Sequence, residues 1–430
     1  MPGPQGATVN QNYSYDVVVS GVQPITVAEA GALPPGLTLS SEGHLGGTPT
    51  TPGSYAISVT ATDGLGQQSV QSFTVQVFQH GFTLSAPLAN ARFAHTATLL
   101  SDGRIFVIGG WAPNASGTAE LNVQTSELYD PIAQAAQPGP TSTPISNQTA
   151  TLLCDLSHPP CNNPVVLVAG GSLSFTFATS YDPTTNTFIQ GANEMFDTHV
   201  NGTATLLPTG DVLIAGGETD NAELFDSASR SFQRPALTMS TRRTGHTATL
   251  MANGKVLITG GYGGSAGGTP FPGAVLSSAE IYDPSTGAFS AAGNMTEPRA
   301  NHTAIRLADG RVLLAGGFNS SGPLSTAELY DPATGLFTST GDLVTPRAGH
   351  TAVLLPDGSV LVAGGQYLNT VLRHAELFDP VSGTFSNTGS MQVPRILHTM
   401  TGFGTVGEVV VIGGTDTGAG HALSSTELYR

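Results

Sequence analysis

Arginine, histidine and glutamate recur at matching positions along the chain, and these residue types could form either a metal site or buried ion pairs. The arginines are Arg92, Arg243, Arg299, Arg347 and Arg395, the histidines are His95, His246, His302, His350 and His398, and the glutamates are Glu127, Glu223, Glu280, Glu328, Glu376 and Glu427. Residues that occur once per repeated unit lie apart rather than around one ion. The pattern therefore predicts buried histidines and structural Arg–Glu pairs, within one unit or between neighbours, with no metal and no cofactor.

Aromatic residues beside Gly-Gly doublets form a second group with possible chemistry. Trp111, Tyr262 and Phe318 directly follow a doublet, where the segments vary most in length. Variable loops on a rigid scaffold commonly carry binding sites, and aromatic side chains with polar neighbours suit sugars or peptides. The predicted ligand-binding residues are Trp111, Tyr262, Phe271, Phe318, Tyr367, Glu218 and Arg373. The alternative is that these aromatic side chains pack over neighbouring loops.

Seven repeats of short strands would position these residues. The doublets are Gly109–Gly110, Gly170–Gly171, Gly216–Gly217, Gly260–Gly261, Gly316–Gly317, Gly364–Gly365 and Gly413–Gly414. Each doublet ends an apolar run of the kind that predicts a strand buried on both faces. Asp-Gly or Asn-Gly turns precede most of these runs and indicate hairpins. A further strand with a Glu-Leu-Tyr-Asp-like sequence and a short fourth strand complete most units, which predicts an all-β fold.

The combined pattern resembles the kelch β-propeller. The resemblance is carried by Arg-x-x-His-Thr-Ala, Asp-Gly, an apolar run ending in Gly-Gly, and Ala-Glu-Leu-Tyr/Phe-Asp-Pro, as in Arg347–Ala352, Asp357–Gly358, Val360–Gly365 and Ala375–Pro380. It implies a seven-bladed propeller over residues 81–430, in which repeats 4 to 6 match best. Repeat 2 lacks the arginine and the histidine, and repeat 3 has Gly202 at the histidine position.

The two ends of the repeat region indicate how the propeller closes. The last repeat stops at its third strand, Glu427–Arg430, and residues 82–88 have the sequence of a fourth strand. We therefore expect residues 82–88 to complete the last blade, which would remove two exposed strand edges.

Residues 1–80 do not share the repeat. Tyr55–Thr62 and Phe73–Val77 alternate apolar and polar residues, which predicts half-buried antiparallel strands. The segments Leu33–Leu37 and Gly47–Tyr55 resemble those of small Ig-like or cadherin-like sandwiches of bacterial surface proteins. The resemblance implies a spacer domain whose first strand is either missing or begins within residues 7–12.

Composition excludes several classes of function. Charged residues make up 10% of the chain, and 14 basic against 30 acidic residues give a net charge of −16. This balance argues against binding to nucleic acid phosphates. The hydrophobic content of 39% argues against disorder, and no apolar run reaches the ~18 residues of a membrane span.

The cysteines bear on the compartment. Cys154 and Cys161 flank a Pro-rich loop, where we expect a local disulfide; the alternative is two reduced thiols. A disulfide indicates an oxidising compartment, so we expect an extracellular or cell-surface protein. Because no basic, apolar leader precedes the first domain, we also expect that a secretion signal has been removed.

Three classes of function follow from these patterns. The sequence favours a monomeric binding or adhesion module that recognises a glycan or a protein through the variable-loop face. The second class is an extracellular carbohydrate-active enzyme: a lyase or hydrolase, or a copper oxidase. Copper oxidases of the galactose-oxidase type need a tyrosine next to a histidine, and this chain has no Tyr-His dipeptide. The third class is a structural domain of a larger surface protein.

Overall fold

The structure is a computed structural model that describes residues 7–9, 13–17, 19–113, 120–142, 145–153, 164–171, 176, 178–189, 194–233, 237–264, 273–404, 407–417 and 421–430. Within these ranges the regular structure is entirely strand. The described part of the chain contains no helix that could cross a membrane. The predicted disulfide Cys154–Cys161 and the predicted site residue Phe271 lie outside the described residues.

The chain divides into two compact units. One unit comprises residues 1–82 with 387–391 and 429–430, and the other comprises residues 83–386 and 392–428. The first unit contains an Ig-like sandwich of two sheets. The strands of one sheet are Ala7–Thr8, Gln68–Phe78, Gly53–Thr62 and Thr26–Ala30, and those of the other are Tyr13–Asp16, His44–Gly47 and Leu37–Leu39, each in spatial order.

The core of the sandwich follows from the alternation along its strands. Ile57, Val59, Val75 and Val77 are buried between the sheets, while residues between them are more exposed. Ala7–Thr8 pairs in parallel with the end of the long strand Gln68–Phe78. The first strand of the described residues, Ala7–Thr8, therefore lies within the predicted range.

The repeats form seven four-stranded blades in the described residues. From the innermost strand outwards, blade 1 is Thr96–Leu99, Ile105–Ile108, Thr125–Asp130 and Ala135–Thr141; blade 2 is Gln148–Leu153, Val165–Gly170, Ala178–Asp182 and Thr187–Ile189; blade 3 is Thr203–Leu206, Val212–Ala215, Asn221–Asp226 and Ser231–Phe232; and blade 4 is Thr247–Leu250, Val256–Thr259, Ser278–Asp283 and Ala288–Asn294. Blade 5 is Thr303–Arg306, Val312–Ala315, Ala327–Asp331 and Leu336–Ser339; blade 6 is Thr351–Leu354, Val360–Ala363, Ala375–Asp379 and Thr384–Thr388; and blade 7 is Thr399–Phe403, Glu408–Ile412, Thr426–Tyr429 and Phe82–Ser85.

Short strands accompany the blades. Leu237–Thr238 pairs with the third strand of blade 3. Four two-stranded ribbons follow or flank the Gly-Gly doublets: Trp111–Pro113 with Glu120–Asn122, Arg242–Thr244 with Tyr262–Gly264, Phe318–Asn319 with Gly322–Pro323, and Gln366–Tyr367 with Thr370–Val371.

The propeller is a closed ring. Each innermost strand packs against the innermost strand of the next blade, and that of blade 7 packs against that of blade 1. Phe82–Ser85 lies beside Thr426–Tyr429 as the outer strand of blade 7. The apolar second strands are fully buried because neighbouring blades cover both of their faces, as Val360 and Val362 of blade 6 pack against Leu313 of blade 5.

The Gly-Gly doublets end the second strands because the backbone there needs space and left-handed dihedral angles. Gly317 has a φ of +97°, and a Cβ atom on it would lie 2.8 Å from the carbonyl oxygen of Ala300. A larger residue would therefore be strained and would also collide with the neighbouring backbone.

Candidate functional site

Each repeated arginine lies beside the glutamate of its own blade. In blade 6, a terminal nitrogen of Arg347 lies 2.5 Å from Glu376 Oε1, and both side chains are fully buried. The corresponding distances are 2.8 Å in blade 1, 2.7 Å in blade 4, 2.5 Å in blade 5 and 2.6 Å in blade 7 for Arg92–Glu127, Arg243–Glu280, Arg299–Glu328 and Arg395–Glu427. Pairing is thus within blades, which the sequence pattern left open.

These pairs also fasten backbone segments together. The Arg347 guanidinium donates to the carbonyl oxygens of Gly364 and His374, and Glu376 accepts the backbone N–H groups of Val344 and Thr345. Burial lowers the pKa of Arg347, and the negative charge of Glu376 opposes that shift. We call each such pair with its backbone contacts a clasp, because it joins the blade entry, the Gly-Gly turn and the third strand.

The repeated histidines connect neighbouring blades. His350 Nε2 of blade 6 lies 3.0 Å from Thr303 Oγ1 of blade 5. Equivalent contacts join His95 to Thr399, His246 to Thr203, His302 to Thr247 and His398 to Thr351. Burial, with a smaller effect of the Arg347 charge, lowers the pKa of His350 to about 3. The imidazole ring of His350 is therefore neutral near pH 7 and acts as a structural link between the two blades.

Blade 3 replaces its clasp arginine with a histidine. His199 stands at the arginine position of its repeat, four residues before Thr203, and is fully buried. Its Nε2 lies 3.1 Å from Glu223 Oε1 and its Nδ1 lies 2.7 Å from the carbonyl oxygen of Gly216. The repeat pattern does not reveal this role directly, because His199 does not fall at the repeated histidine position. Aligning His199-Val-Asn-Gly-Thr-Ala with Arg347-Ala-Gly-His-Thr-Ala would have found it.

Seven residues with left-handed backbone surround the propeller axis, one at each blade entry. We call these residues the axial ring: Ala94, Asn147, Asn201, Gly245, Asn301, Gly349 and Leu397, with φ between +51° and +63°. Backbone hydrogen bonds link several of them from blade to blade, such as Gly349 N–H to the Asn301 carbonyl oxygen at 2.9 Å. The ring thus fixes the backbone at the mouth of the axis.

A cavity of about 580 Å³ opens beside the axial ring on the variable-loop face of blades 4 to 7. Its aromatic lining is Tyr262 and Phe318. Its amide side chains are Asn301, Gln366 and Asn369, and its larger aliphatic side chains are Leu368, Ile396 and Leu397. Among the residues that the structure describes, no charged side chain lines this cavity. The lining therefore suits a neutral ligand with both apolar and hydrogen-bonding surface.

Backbone pairing places the cavity side chains. In blades 1, 5, 6 and 7 the residue after the doublet pairs with the residue after the clasp arginine, as in Ala300 with Phe318 and Ala348 with Gln366. Tyr262 pairs with Thr244 in the same way. Blades 1, 4, 5, 6 and 7 therefore present their post-doublet residues next to the segment that leads into the axial ring.

The structure brings two of the predicted ligand-binding residues together. Tyr262 and Phe318 line the cavity, whereas Trp111, Tyr367, Glu218 and Arg373 do not. Trp111 pairs with Phe93 in blade 1, and the backbone carbonyl of Glu218 accepts Arg242 Nε in blade 3. Arg373 is half-buried, and burial lowers its pKa. A part for these four residues in binding stays a prediction.

Metal binding has no support from this lining. Its described lining residues present amide, aromatic and aliphatic side chains and none of the histidine, cysteine or carboxylate groups that hold copper. Among the residues the structure describes, no three histidine, cysteine, aspartate or glutamate side chains form a group that could hold a metal ion. On blade 7, His421 Nδ1 lies 2.7 Å from Asp416 Oδ1 as an isolated pair.

Comparisons with known proteins agree with this architecture. Residues 1–78 match the family described as "Putative Ig domain", and residues 242–296 and 298–343 match the kelch motif. A solved structure of a fungal alcohol oxidase of the AA5 family, in complex with copper, has a TM-score of 0.62 and 18% identity, with 82% of this chain and 76% of that chain covered. At this identity the likeness shows the fold alone. No curated protein matches the chain.

Proposed function

Because the chain is an Ig-like domain followed by a seven-bladed kelch β-propeller, we propose that it is a binding module for a neutral glycan held in the cavity of blades 4 to 7. The observation that carries the proposal is the lining of that cavity, whose described residues combine two aromatic rings with three amide side chains and no charge. Aromatic faces pack on the C–H faces of sugars, and amide groups bond to sugar hydroxyls as both donors and acceptors.

Exposure and size support the same proposal. Phe318 retains 36% of its side-chain exposure, and Asn301 and Asn369 are exposed. A volume of about 580 Å³ lies within the usual range for small-ligand pockets. Because the lining residues come from four closed blades, the site needs no large rearrangement to receive a ligand. Secretion and a monomeric state stay predictions of the sequence.

The test is a glycan array followed by calorimetry with the full chain and two matched variants. Phe318→Ala removes a cavity aromatic, and Trp111→Ala removes the aromatic side chain at the same repeat position in blade 1, outside the cavity. We expect Phe318→Ala to weaken binding about tenfold or more and Trp111→Ala to leave it within about twofold. Equal losses in both variants would place the ligand elsewhere, and the absence of binding to every neutral glycan would exclude the proposed function.

A further inference from the structure

Two leucines on the cavity have backbone conformations that leucine rarely adopts. Leu368 has a φ of +50° and Leu397 a φ of +55°. Both side chains are exposed, at 60% and 46%, and both line the cavity. Left-handed backbone disfavours residues with a Cβ atom other than asparagine and aspartate. Neither backbone preference nor burial in the core therefore explains leucine at these positions.

The repeats show what these positions otherwise contain. Leu397 belongs to the axial ring, whose other members are three asparagines, two glycines and one alanine. Leu368 begins the two-residue turn between Gln366–Tyr367 and Thr370–Val371, where asparagine or glycine is usual. Exposed and strained apolar residues that share one cavity indicate contact with a ligand rather than support of the fold.

The surroundings of the leucines define the ligand further. Ile396 adds a third aliphatic side chain, and Asn301 and Asn369 add amide groups to the same cavity. Gln366 Nε2 donates to the carbonyl oxygen of Leu368 at 2.6 Å, which holds the turn that carries this leucine. The cavity thus pairs an aliphatic contact surface with amide groups, and this combination exceeds what unsubstituted sugar hydroxyls require.

Building on the proposed function, we propose that the sugar bound here carries an acetamido substituent. Its methyl group would contact Leu368 and Leu397, and its amide N–H and C=O would bond to asparagine side chains of the cavity. An acetamido group is neutral, as the uncharged lining requires, and it supplies one apolar and one amide surface together. A free amino sugar would bring an unpaired positive charge to a cavity without a carboxylate.

The probes are matched sugar pairs that differ only in acetamido against hydroxyl: oligomers of N-acetylglucosamine against glucose, and of N-acetylgalactosamine against galactose. The variants are Leu368→Asn and Leu397→Asn, which introduce a residue that left-handed backbone favours. We expect the wild-type chain to prefer one acetamido probe to its hydroxyl partner by about tenfold. We expect each variant to lose that preference while its thermal unfolding temperature stays equal or rises.

The outcomes separate this inference from the function on which it rests. Equal binding of both members of each pair, or a preference that survives in both variants, overturns the acetamido assignment and leaves glycan binding intact. A fall in the unfolding temperature of the variants overturns it too, because the leucines would then be structural. If no member of any pair binds and peptides bind instead, the glycan function itself fails.

Discussion

The same four-stranded design occurs in blades 4 to 7 and in blades 2 and 3. The two groups differ in the side chains that hold each blade together and link it to its neighbour. In blades 4 to 7 every arginine forms its clasp with a glutamate, and every repeated histidine bonds to a threonine of the preceding blade. Blade 2 has Ile145, Gln148 and Thr179 at the arginine, histidine and glutamate positions. Blade 3 has His199 and Gly202 at the arginine and histidine positions.

The difference shows that these charges serve the framework and that the framework tolerates their replacement. Ile145 is buried and Thr179 is half-buried where the regular blades have a buried ion pair. Gln148 reproduces part of the histidine link, because its Nε2 donates to the carbonyl oxygen of Ile108 at 2.8 Å and to Thr96 Oγ1 at 3.4 Å. The cavity lies on blades 4 to 7. Each of these blades has both the Arg–Glu clasp and the His–Thr link to the preceding blade, so the candidate site lies on blades that carry both kinds of contact.

Breaking one clasp in blades 4 to 7 should cause the largest loss of stability. Arg347→Ile, which copies the residue of blade 2, leaves the buried Glu376 without its cation and removes the guanidinium N–H donors to the carbonyl oxygens of Gly364 and His374. We expect the free energy of unfolding to fall by about 3–5 kcal/mol. Urea unfolding followed by the fluorescence of Trp111, the only tryptophan, measures the loss.

The double variant Arg347→Ile with Glu376→Thr is the control, because it copies both residues that blade 2 has at these positions. We expect it to be more stable than the single variant, since no unpaired carboxylate remains buried. Val344 and Thr345 then lose their acceptor, so full recovery is not expected. A single variant as stable as wild type would contradict a framework role for the clasp.

The regular parts of the fold were predictable from sequence because periodic turns and apolar runs determine the blades. The Gly-Gly doublets mark the ends of second strands in the structure, and Phe82–Ser85 stands where the sequence expects the strand that completes blade 7. The pairing scheme of arginine and glutamate was not predictable, because spacing along the chain does not say which blade supplies each partner. The Arg–Glu distances within each blade show that the partners belong to the same blade.

Of the residues that line the cavity, the sequence predicted Tyr262 and Phe318 but not the others, for a geometric reason. Residues directly after the doublets were recognised by their aromatic side chains, but the ring spreads them around the axis, so Trp111 falls on blade 1. Asn301, Ile396 and Leu397 lie inside Arg-x-x-His motifs, where sequence alone gives them no distinct role. Their importance emerges only from the left-handed axial ring and the cavity beside it.

Removing one histidine link should change the pH dependence of stability. The pKa of His350 falls to about 3 on burial, whereas a histidine in the unfolded chain titrates near pH 6.5. Between those values the unfolded chain binds a proton that the folded chain does not, so stability falls as the pH is lowered. The variant His350→Gln, which has the residue of blade 2, lacks this proton uptake. Its free energy of unfolding relative to wild type should therefore rise by about 1.4 kcal/mol for each pH unit below pH ~6.

Urea unfolding at pH 7, 6 and 5 measures this shift. The shift should favour the variant at the lower pH values, because glutamine takes up no proton when the chain unfolds. Parallel stability curves for wild type and variant across this range would show that His350 does not titrate differently in the two states.

The smallest change is expected from the irregular counterpart of that link. Gln148→Ala in blade 2 removes the hydrogen bonds to Ile108 and Thr96 but changes no titratable group. We expect a loss of about 1 kcal/mol that is the same at pH 7, 6 and 5, measured beside His350→Gln. A loss that grows at low pH, or one as large as that of Arg347→Ile, would mean that blade 2 depends on its substitute link as strongly as the regular blades depend on their clasps.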